Sequence, residues 1–342
     1  MTELTLSAII PTYNRAHLVG RAIRSVLASV RPTDEILVVD DGSTDDTERV
    51  VRAFGERVTY VRSSNGGAGR ARNIGVSLAK HPLVAFLDSD DEWIPGELEW
   101  KRRILEARDD VLFCFSDFLM QDEQGIEHPH YLVAWHKDHR PWNEILAPGI
   151  PLAQIVPEAA GRAEGSVHIG RLYELEMTAN YIGATELVAR RCALPGGRWF
   201  PEDLATYEDW ECFGRLTRAG LGAYLDRDTG INHGHSGPRV TDAKELAMAT
   251  SRIAVLERVW GADEAYQRAH GAEYRAVLEE QRAKRIRALL AERRPREARE
   301  EIARAQHAPA SYRILSHLPR ILVGAMLAAR ALLIMLAGID AG

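Results

Sequence analysis

Residues 83–95 read LVAFLDSDDEWIP. The stretch opens with five apolar residues, Leu83 to Leu87, a run short enough and continuous enough for a strand buried on both faces. Asp88, Asp90 and Asp91 follow within four positions, and Glu92 comes next. Carboxylates that close repel one another, and a strand ending in Asp-x-Asp delivers two of them from a rigid base into a crevice. A divalent cation relieves the repulsion. Hard oxygen ligands suit Mg²⁺ or Mn²⁺, held by one or two carboxylates and completed by phosphate oxygens. A metal so placed neutralises charge developing on a departing phosphate.

Upstream, strand-like and helix-like segments alternate. Leu6 to Ile10 is apolar and meets Pro11. HLVGRAIRSVLAS carries apolar residues at helical spacing. EILVVD ends at Asp40, DDTERVVRAFG reads as a helix stopped by Gly55, and VTYVR follows. GRARNIGVSLAK precedes the quoted strand, and ELEWKRRILEA and VLFCFSD come after it. Repeated β-α-β units with continuous apolar strands predict a doubly wound, mostly parallel sheet covered on both faces. Such sheets bind ligands at the carboxyl ends of their strands. Three polar clusters fall there: Thr12-Tyr13-Asn14, Asp40-Asp41-Gly42-Ser43 and Asp88-Ser89-Asp90-Asp91. Taken alone, each is ordinary turn and cap chemistry. Together on one edge they predict a site. GGAGRAR adds a Gly-rich lead into a helix, where backbone N–H groups and arginines are suited to phosphate. Taken alone, Arg70 and Arg72 read better as a solvated helix face.

AIIPTYNRAHLVGRAIRSVL, EILVVDDGSTDDT, NGGAGRARNIGVSLA and VAFLDSDDEWIPGEL resemble, in order and spacing, the nucleotide-binding half of the family 2 glycosyltransferases. The resemblance covers roughly the first 115 residues. It implies a GT-A fold and an inverting transfer of a sugar from a nucleotide donor, with UDP the commonest nucleotide. It implies that Pro11, Thr12 and Tyr13 line the base pocket, and that Asp40 and Asp41 lie where base and ribose bind. Arg70, Arg72 and Asn73 would face the nucleotide. Asp88 and Asp90 would be the Asp-x-Asp pair, with Asp90 the favoured metal ligand and Asp88 or Asp91 holding ribose or a metal water.

Inverting transfer needs a base for the acceptor hydroxyl, and a carboxylate is the usual one. In FPEDLATYEDWECFGRLTRAG, residues 200–220, Glu208-Asp209 precedes a helical pattern through Trp210, Phe213 and Leu216. Acids at a helix start are also favoured simply by the dipole. The segment resembles the family's Glu-Asp motif, which implies Asp209 as general base with Glu208 in support. INHGHSGPRVT offers His233 and His235; the resemblance favours His235 as a metal or diphosphate ligand, although Ser and Gly stand in reversed order there. No Gln-x-x-Arg-Trp motif is present, which favours single addition over polymerisation.

The expected organisation is a GT-A domain over 1–240, split into a nucleotide-binding half (1–115) and an acceptor-binding half (116–240). A helical extension over 241–309 and an apolar C-terminal helix over 310–342 follow. Residues 120–180 are irregular and expected to shape the acceptor site. Residues 321–339, ILVGAMLAARALLIMLAGI, approach the length of a bilayer span, but Arg330 makes spanning costly. With Arg313 and Arg320 and the basic QRAKRIRALLAERRPREAR upstream, 310–340 reads as a membrane-surface or oligomer contact, or a helix packed on its own domain.

The 342 residues carry a net charge of −6, no basis for nucleic-acid binding by bulk charge. Cys114, Cys192 and Cys212 form no CxxC pair, so neither zinc nor a disulfide framework is indicated. Glu3 stands where a signal peptide needs base. The expected location is cytoplasmic or peripheral at the inner face of the cell membrane. The expected partners are a nucleotide-sugar donor and a glycan, lipid-linked or small-molecule hydroxyl acceptor in envelope polysaccharide or glycan assembly. A nucleotidyltransferase and a catalytically inactive nucleotide-sugar-binding scaffold remain as alternatives. The former lacks a Gly-rich nucleotidyl signature with its Lys after the first strand, and the latter sits poorly with both sets of acids being present.

Overall fold

A computed structural model describes residues 3–234, 244–305 and 310–317. The chain divides into two units: Met1–Asp203 with Glu208–Gly237, and Leu204–Tyr207 with Pro238–Gly342.

The first unit runs β1 (Leu6–Thr12), α1 (Val19–Ser29), β2 (Glu35–Asp40), α2 (Thr47–Arg52), β3 (Thr59–Arg62), α3 (Ala68–Leu78), β4 (Leu83–Phe86), β5 (Glu92–Trp93), α4 (Glu97–Ala107) and β6 (Val111–Gln121). It continues through β7 (Glu127–His128), α5 (Leu132–His136), α6 (Trp142–Ile145), β8 (Ile150–Pro151), α7 (Leu152–Ile155), β9 (Ser166–Gly170), α8 (Tyr173–Glu176), β10 (Val188–Arg190), α9 (Glu208–Ala219) and β11 (Leu221–His233). The strands form one sheet in the order β3-β2-β1-β4-β10-β6-β11-β9-β8, with β5 added to β11 and β7 to β6. Strands β3, β2, β1 and β4 are parallel, as are β6 and β11. The sheet is therefore mostly parallel and doubly wound, as the strand pattern predicts. Short strands at the far side depart from that pattern, β5, β7, β8 and β9 pairing antiparallel. In the middle, β10 lies antiparallel between β4 and β6, so the two parallel halves are joined by a strand that arrives about seventy residues after β6.

The continuous apolar runs have the expected cause. Leu83, Ala85 and Leu87 join Leu6, Ala8, Ile10 and Val38 in a core on one face, against Val19, Ile23 and Ile104 of the helices. Val84 and Phe86 join Ile9, Leu37, Phe113 and Phe115 on the other, against Val76 and Phe213. Alternate residues of β1, β2 and β4 bury in opposite cores, which favours apolar residues at nearly every position.

Helix α4 breaks the rule that charge stays outside. Arg102 and Asp34 are both fully buried, with two Nη–carboxylate contacts of 3.0 and 2.5 Å. Asp34 also accepts from the backbone N–H of Leu6 and Arg31. Lys101 is buried too, donating to Ser116 Oγ, Thr229 Oγ1 and the Glu186 carbonyl. Every donor of its ammonium is thereby used, which is what a buried cation requires.

The second unit is helical: α10 (Glu245–Leu256), α11 (Glu264–Ala291), α12 (Pro295–Arg304) and α13 (Ala310–His317). Asp263 caps α11 by accepting from the backbone N–H of Ala265 and Tyr266. Pro295 occupies the first turn of α12, where its missing N–H costs nothing. Ile286, Leu289, Leu290, Ala298 and Tyr312 form its core. Buried Glu301 accepts from Arg285 at 2.8 Å. No helix among the described residues is long and apolar enough to cross a membrane. The apolar run 321–339 lies outside the described residues.

Candidate active site

The register of the sheet brings the polar clusters to one edge. Thr12 pairs with Asp40, and β4 ends at Phe86 alongside them. Asn14 turns the chain in the left-handed region at φ 51°, which Asn tolerates better than most residues. Its N–H donates to Ser43 Oγ and its Oδ1 accepts from Thr44 N–H, so the loops after β1 and β2 lock together.

Two acids predicted to meet base and ribose serve the scaffold through their carboxylates. Asp40 is fully buried; its Oδ1 accepts from Ser43 N–H and its Oδ2 from the Tyr60 hydroxyl at 2.6 Å. That bond, after burial, pushes the Tyr60 phenol up. Asp41 accepts from the N–H groups of Gly66 and Gly67 at 2.8 and 2.7 Å. The Gly-rich lead into α3 thus spends two N–H groups on Asp41, where the sequence predicts phosphate. Gly67 sits at φ +90°, closed to most side chains. Asn73 is likewise a clamp: its Oδ1 accepts from Trp199 and Phe200 N–H, and its Nδ2 donates to Phe200 O and Glu202.

Pro11 and Thr12 are buried at the end of β1, and Thr12 Oγ1 has no hydrogen-bond partner among the described residues. Tyr13 is 46% exposed, its ring open beside them. Arg70 donates to the carbonyl and hydroxyl of Ser64.

The acids of residues 88–92 take different positions. Asp91 is buried. Its Oδ1 accepts from His233 N–H and its Oδ2 from the Thr185 hydroxyl. Burial, then Asp90 and Asp88, hold its carboxyl well above the ordinary range. Each oxygen of Asp91 thus meets one protein donor. Glu92 accepts from His233 Nε2 at 2.8 Å and pairs with Arg21. Asp90 lies 3.7 Å from Arg15, its backbone carbonyl anchored by Arg21. Asp88 remains 37% exposed at its side chain, with Oδ1 2.7 Å from Arg72. Two partly exposed carboxylates at the end of one strand are a hard-oxygen donor set that fits Mg²⁺ or Mn²⁺. His235 lies outside the described residues.

Arg72 joins distant parts of the chain. It is buried, and its two Nη atoms reach Asp88 Oδ1 and, at 2.9 Å, Glu208 Oε1 on α9. Its ring-side face rests on Phe200. The approach depends on Gly69, where a Cβ would sit 2.7 Å from the Pro201 carbonyl and 3.1 Å from Glu208 Cγ. Next to Glu208, Asp209 accepts from Trp210 N–H. Burial and then the neighbouring Glu208 push its carboxyl up to about 7, against the pull of Arg72. An acid near neutrality beside a strand-end Asp-x-Asp pair has the properties of a general base.

Sequence reasoning does not single out Glu176 and Asn180, which adjoin Asp209, nor Glu186. Glu186 is 1% exposed with no partner for either carboxylate oxygen among the described residues. Burial pushes it up to about 8. A lone Glu in an apolar stretch carries no signal of this kind. A further trio, Asp117, His130 and Asp228, can offer ligand atoms within 4.8 Å of one another. Asp117 is already satisfied there by Phe118 and Leu132 N–H and the Tyr224 hydroxyl.

The model of the family described as glycosyl transferase family 2 matches residues 7–147. An uncharacterized glycosyltransferase of Rickettsia prowazekii (strain Madrid E) is 34% identical over 124 residues, 35% of this chain and 39% of that protein. The Escherichia coli UDP-Glc:alpha-D-GlcNAc-diphosphoundecaprenol beta-1,3-glucosyltransferase WfgD is 33% identical over 128 residues, 37% of this chain and 50% of that one. The aligned segment thus spans half or less of these relatives. Among solved structures, S. aureus TarS 1-349 in complex with UDP-GlcNAc is similar with a TM-score of 0.55 at 18% identity, covering 87% of this chain and 88% of that one. Mannosyltransferase PcManGT from Pyrobaculum calidifontis, in complex with GDP-Man and Mn2+, has a TM-score of 0.51 at 17% identity, covering 96% and 80%. These neighbours share the GT-A fold with this chain, and its residues 7–147 are similar to glycosyl transferase family 2.

Proposed function

We propose that the protein is an inverting glycosyltransferase that adds one sugar from a nucleoside-diphosphate donor, a UDP-sugar, to a hydroxyl acceptor. The observation that carries this reading is Arg72, which ties Asp88 on the donor side to Glu208 and so sets Asp209 beside the Asp-x-Asp strand end. In the step itself, Asp209 takes the acceptor O–H proton. The acceptor oxygen bonds to the anomeric carbon from one face, and the carbon–oxygen bond to the diphosphate breaks on the other. Its electron pair leaves with the nucleoside diphosphate. Asp90, with Asp88, would hold Mg²⁺ or Mn²⁺, which when bound supplies charge neutralisation to the diphosphate. Pro11, Thr12 and Tyr13 would receive the base, and Arg70 would face the nucleotide. Asp40, Asp41, Asp91 and Asn73 act in this reading by holding the loops that do so.

UDP is favoured because WfgD and TarS are named with UDP-sugars, whereas PcManGT carries GDP-Man. The diphosphoundecaprenol acceptor of WfgD supports a lipid-linked acceptor and a role in envelope polysaccharide assembly at the inner face of the membrane. The test is turnover of a panel of nucleotide sugars with Mn²⁺ or Mg²⁺. Turnover lost in Asp209→Asn with nucleotide binding intact supports transfer. Tight binding with no turnover across the panel supports an inactive scaffold instead.

A further inference from the structure

The carboxamide of Asn180 lies between two acids. One of its terminal atoms is 2.8 Å from Glu176 Oε1 and 3.0 Å from the Ile182 carbonyl; the other is 3.4 Å from Asp209 Oδ2. With Glu176 ionised, all three neighbours are acceptors, and the amide has one donor end. With its NH2 toward Glu176 and Ile182 O, both short contacts become hydrogen bonds. The opposite orientation keeps two contacts of 3.4 Å, to Asp209 and from Ile182 N–H, and sets oxygen against oxygen at 2.8 Å. The first orientation is therefore favoured, and it turns the Asn180 carbonyl toward Asp209. A carbonyl there repels an ionised Asp209 and accepts from a protonated one.

Glu176 fixes this arrangement. It is fully buried at the end of α8, its Oε2 accepts from Tyr181 N–H, and its own carbonyl accepts from the Trp210 indole. The Trp210 bond pins α8 to the first turn of α9, which carries Asp209. The charged groups facing Asp209 are Glu208, Arg72 and Asp88, with Glu176 behind Asn180. The Tyr181 hydroxyl donates to Asp138, which is itself paired with Arg140.

We propose that Glu176 and Asn180 are positioning residues that make Asp209 hold the proton it takes from the acceptor hydroxyl. This rests on Asp209 being the base. As the acceptor O–H bond breaks, a new O–H forms on Asp209 Oδ2 and donates to Asn180 Oδ1, so the arrangement favours the product of the transfer. Burial drives the carboxyl of Glu176 upward too, and proximity to Asp209 adds to it, which places two acids in competition for protons across one amide.

The test is the titration of the Asp209 carboxyl, followed by ¹³Cγ NMR in aspartate-labelled protein and assigned by its absence in Asp209→Asn. Glu176→Gln replaces the titrating carboxyl with a neutral amide. Asn180→Ala removes the facing carbonyl. The Asp209 midpoint should fall from about 7 by about one pH unit in each, and the acid limb of UDP-sugar turnover should move with it. A midpoint unchanged in both variants overturns the proposal, whatever happens to turnover. If Glu176→Gln does not fold, Asn180→Ala decides. If Asp209→Asn retains full turnover, the base reading fails instead, and the NMR midpoints tell the two failures apart.

Discussion

Asp41 and Asp209 are the same residue in opposite surroundings. Asp41 accepts two short backbone hydrogen bonds from Gly66 and Gly67, and its charge is spent on holding a loop. Asp209 is buried, sits beside Glu208 and accepts one backbone bond, so its carboxyl is pushed up to about 7. The donors around a carboxylate, more than its position in a motif, separate a structural acid from one able to do proton chemistry. Exchanging the roles is not possible by sequence alone, because the backbone supplies the donors.

The largest effect is expected where that contrast is removed outright. Asp209→Asn keeps the shape and loses the base, and turnover should drop by about 10² to 10⁴-fold, with donor affinity unchanged in calorimetry. A loss of affinity equal to the loss of turnover would place Asp209 in donor binding. Arg72→Ala should follow. It leaves Glu208 and Asp88 facing a buried gap without their cation, and breaking a buried pair costs about 3–5 kcal/mol; denaturant titration measures it. A stability unchanged from wild type would mean that the bridge from Asp88 to Glu208 is not formed in solution.

The same contrast explains what was legible. The central strands are plain because they are buried on both faces, so Leu83 to Leu87 run apolar without interruption. The edge of the sheet was plain because three polar clusters follow three strands. The internal allocation was not. Asp40, Asp41, Asp91 and Asn73 are all expected near ligand, and the structure also gives their polar atoms partners on strands and loops up to 142 residues away. A sequence shows that a carboxylate exists; it does not show which distant backbone turns a donor toward it. The antiparallel β10 was hidden for a related reason. Its three residues carry no pattern, and its place is fixed by partners on both sides. Buried Lys101 and Arg102 were invisible too, because a charged pair in a helix reads as solvated until its acceptors are known.

A pH profile sharpens the comparison without any mutation. Asp209 must be ionised to accept a proton, and its carboxyl titrates near 7. Turnover should therefore rise with pH through about 7 and flatten above it, at saturating donor and metal. A limb near 4, the ordinary aspartate range, would mean that its surroundings do not hold Asp209 up.

The smallest effect tests the exposed end of the same edge. Tyr13 is 46% exposed and directly follows Thr12, whose buried hydroxyl oxygen finds no partner within the described fold. An open aromatic face beside an unmet polar atom suits a nucleobase: the ring stacks while the hydroxyl meets an edge group. Base–aromatic stacking contributes about 1–3 kcal/mol, so Tyr13→Ala should weaken nucleoside-diphosphate binding by about 10-fold and leave thermal stability alone. Tyr13→Phe should bind as wild type does, because the ring rather than the phenol makes the contact. If Tyr13→Ala binds normally while Asp41→Ala does not, the nucleotide is held by the loops that Asp41 braces, and the base lies elsewhere along the edge.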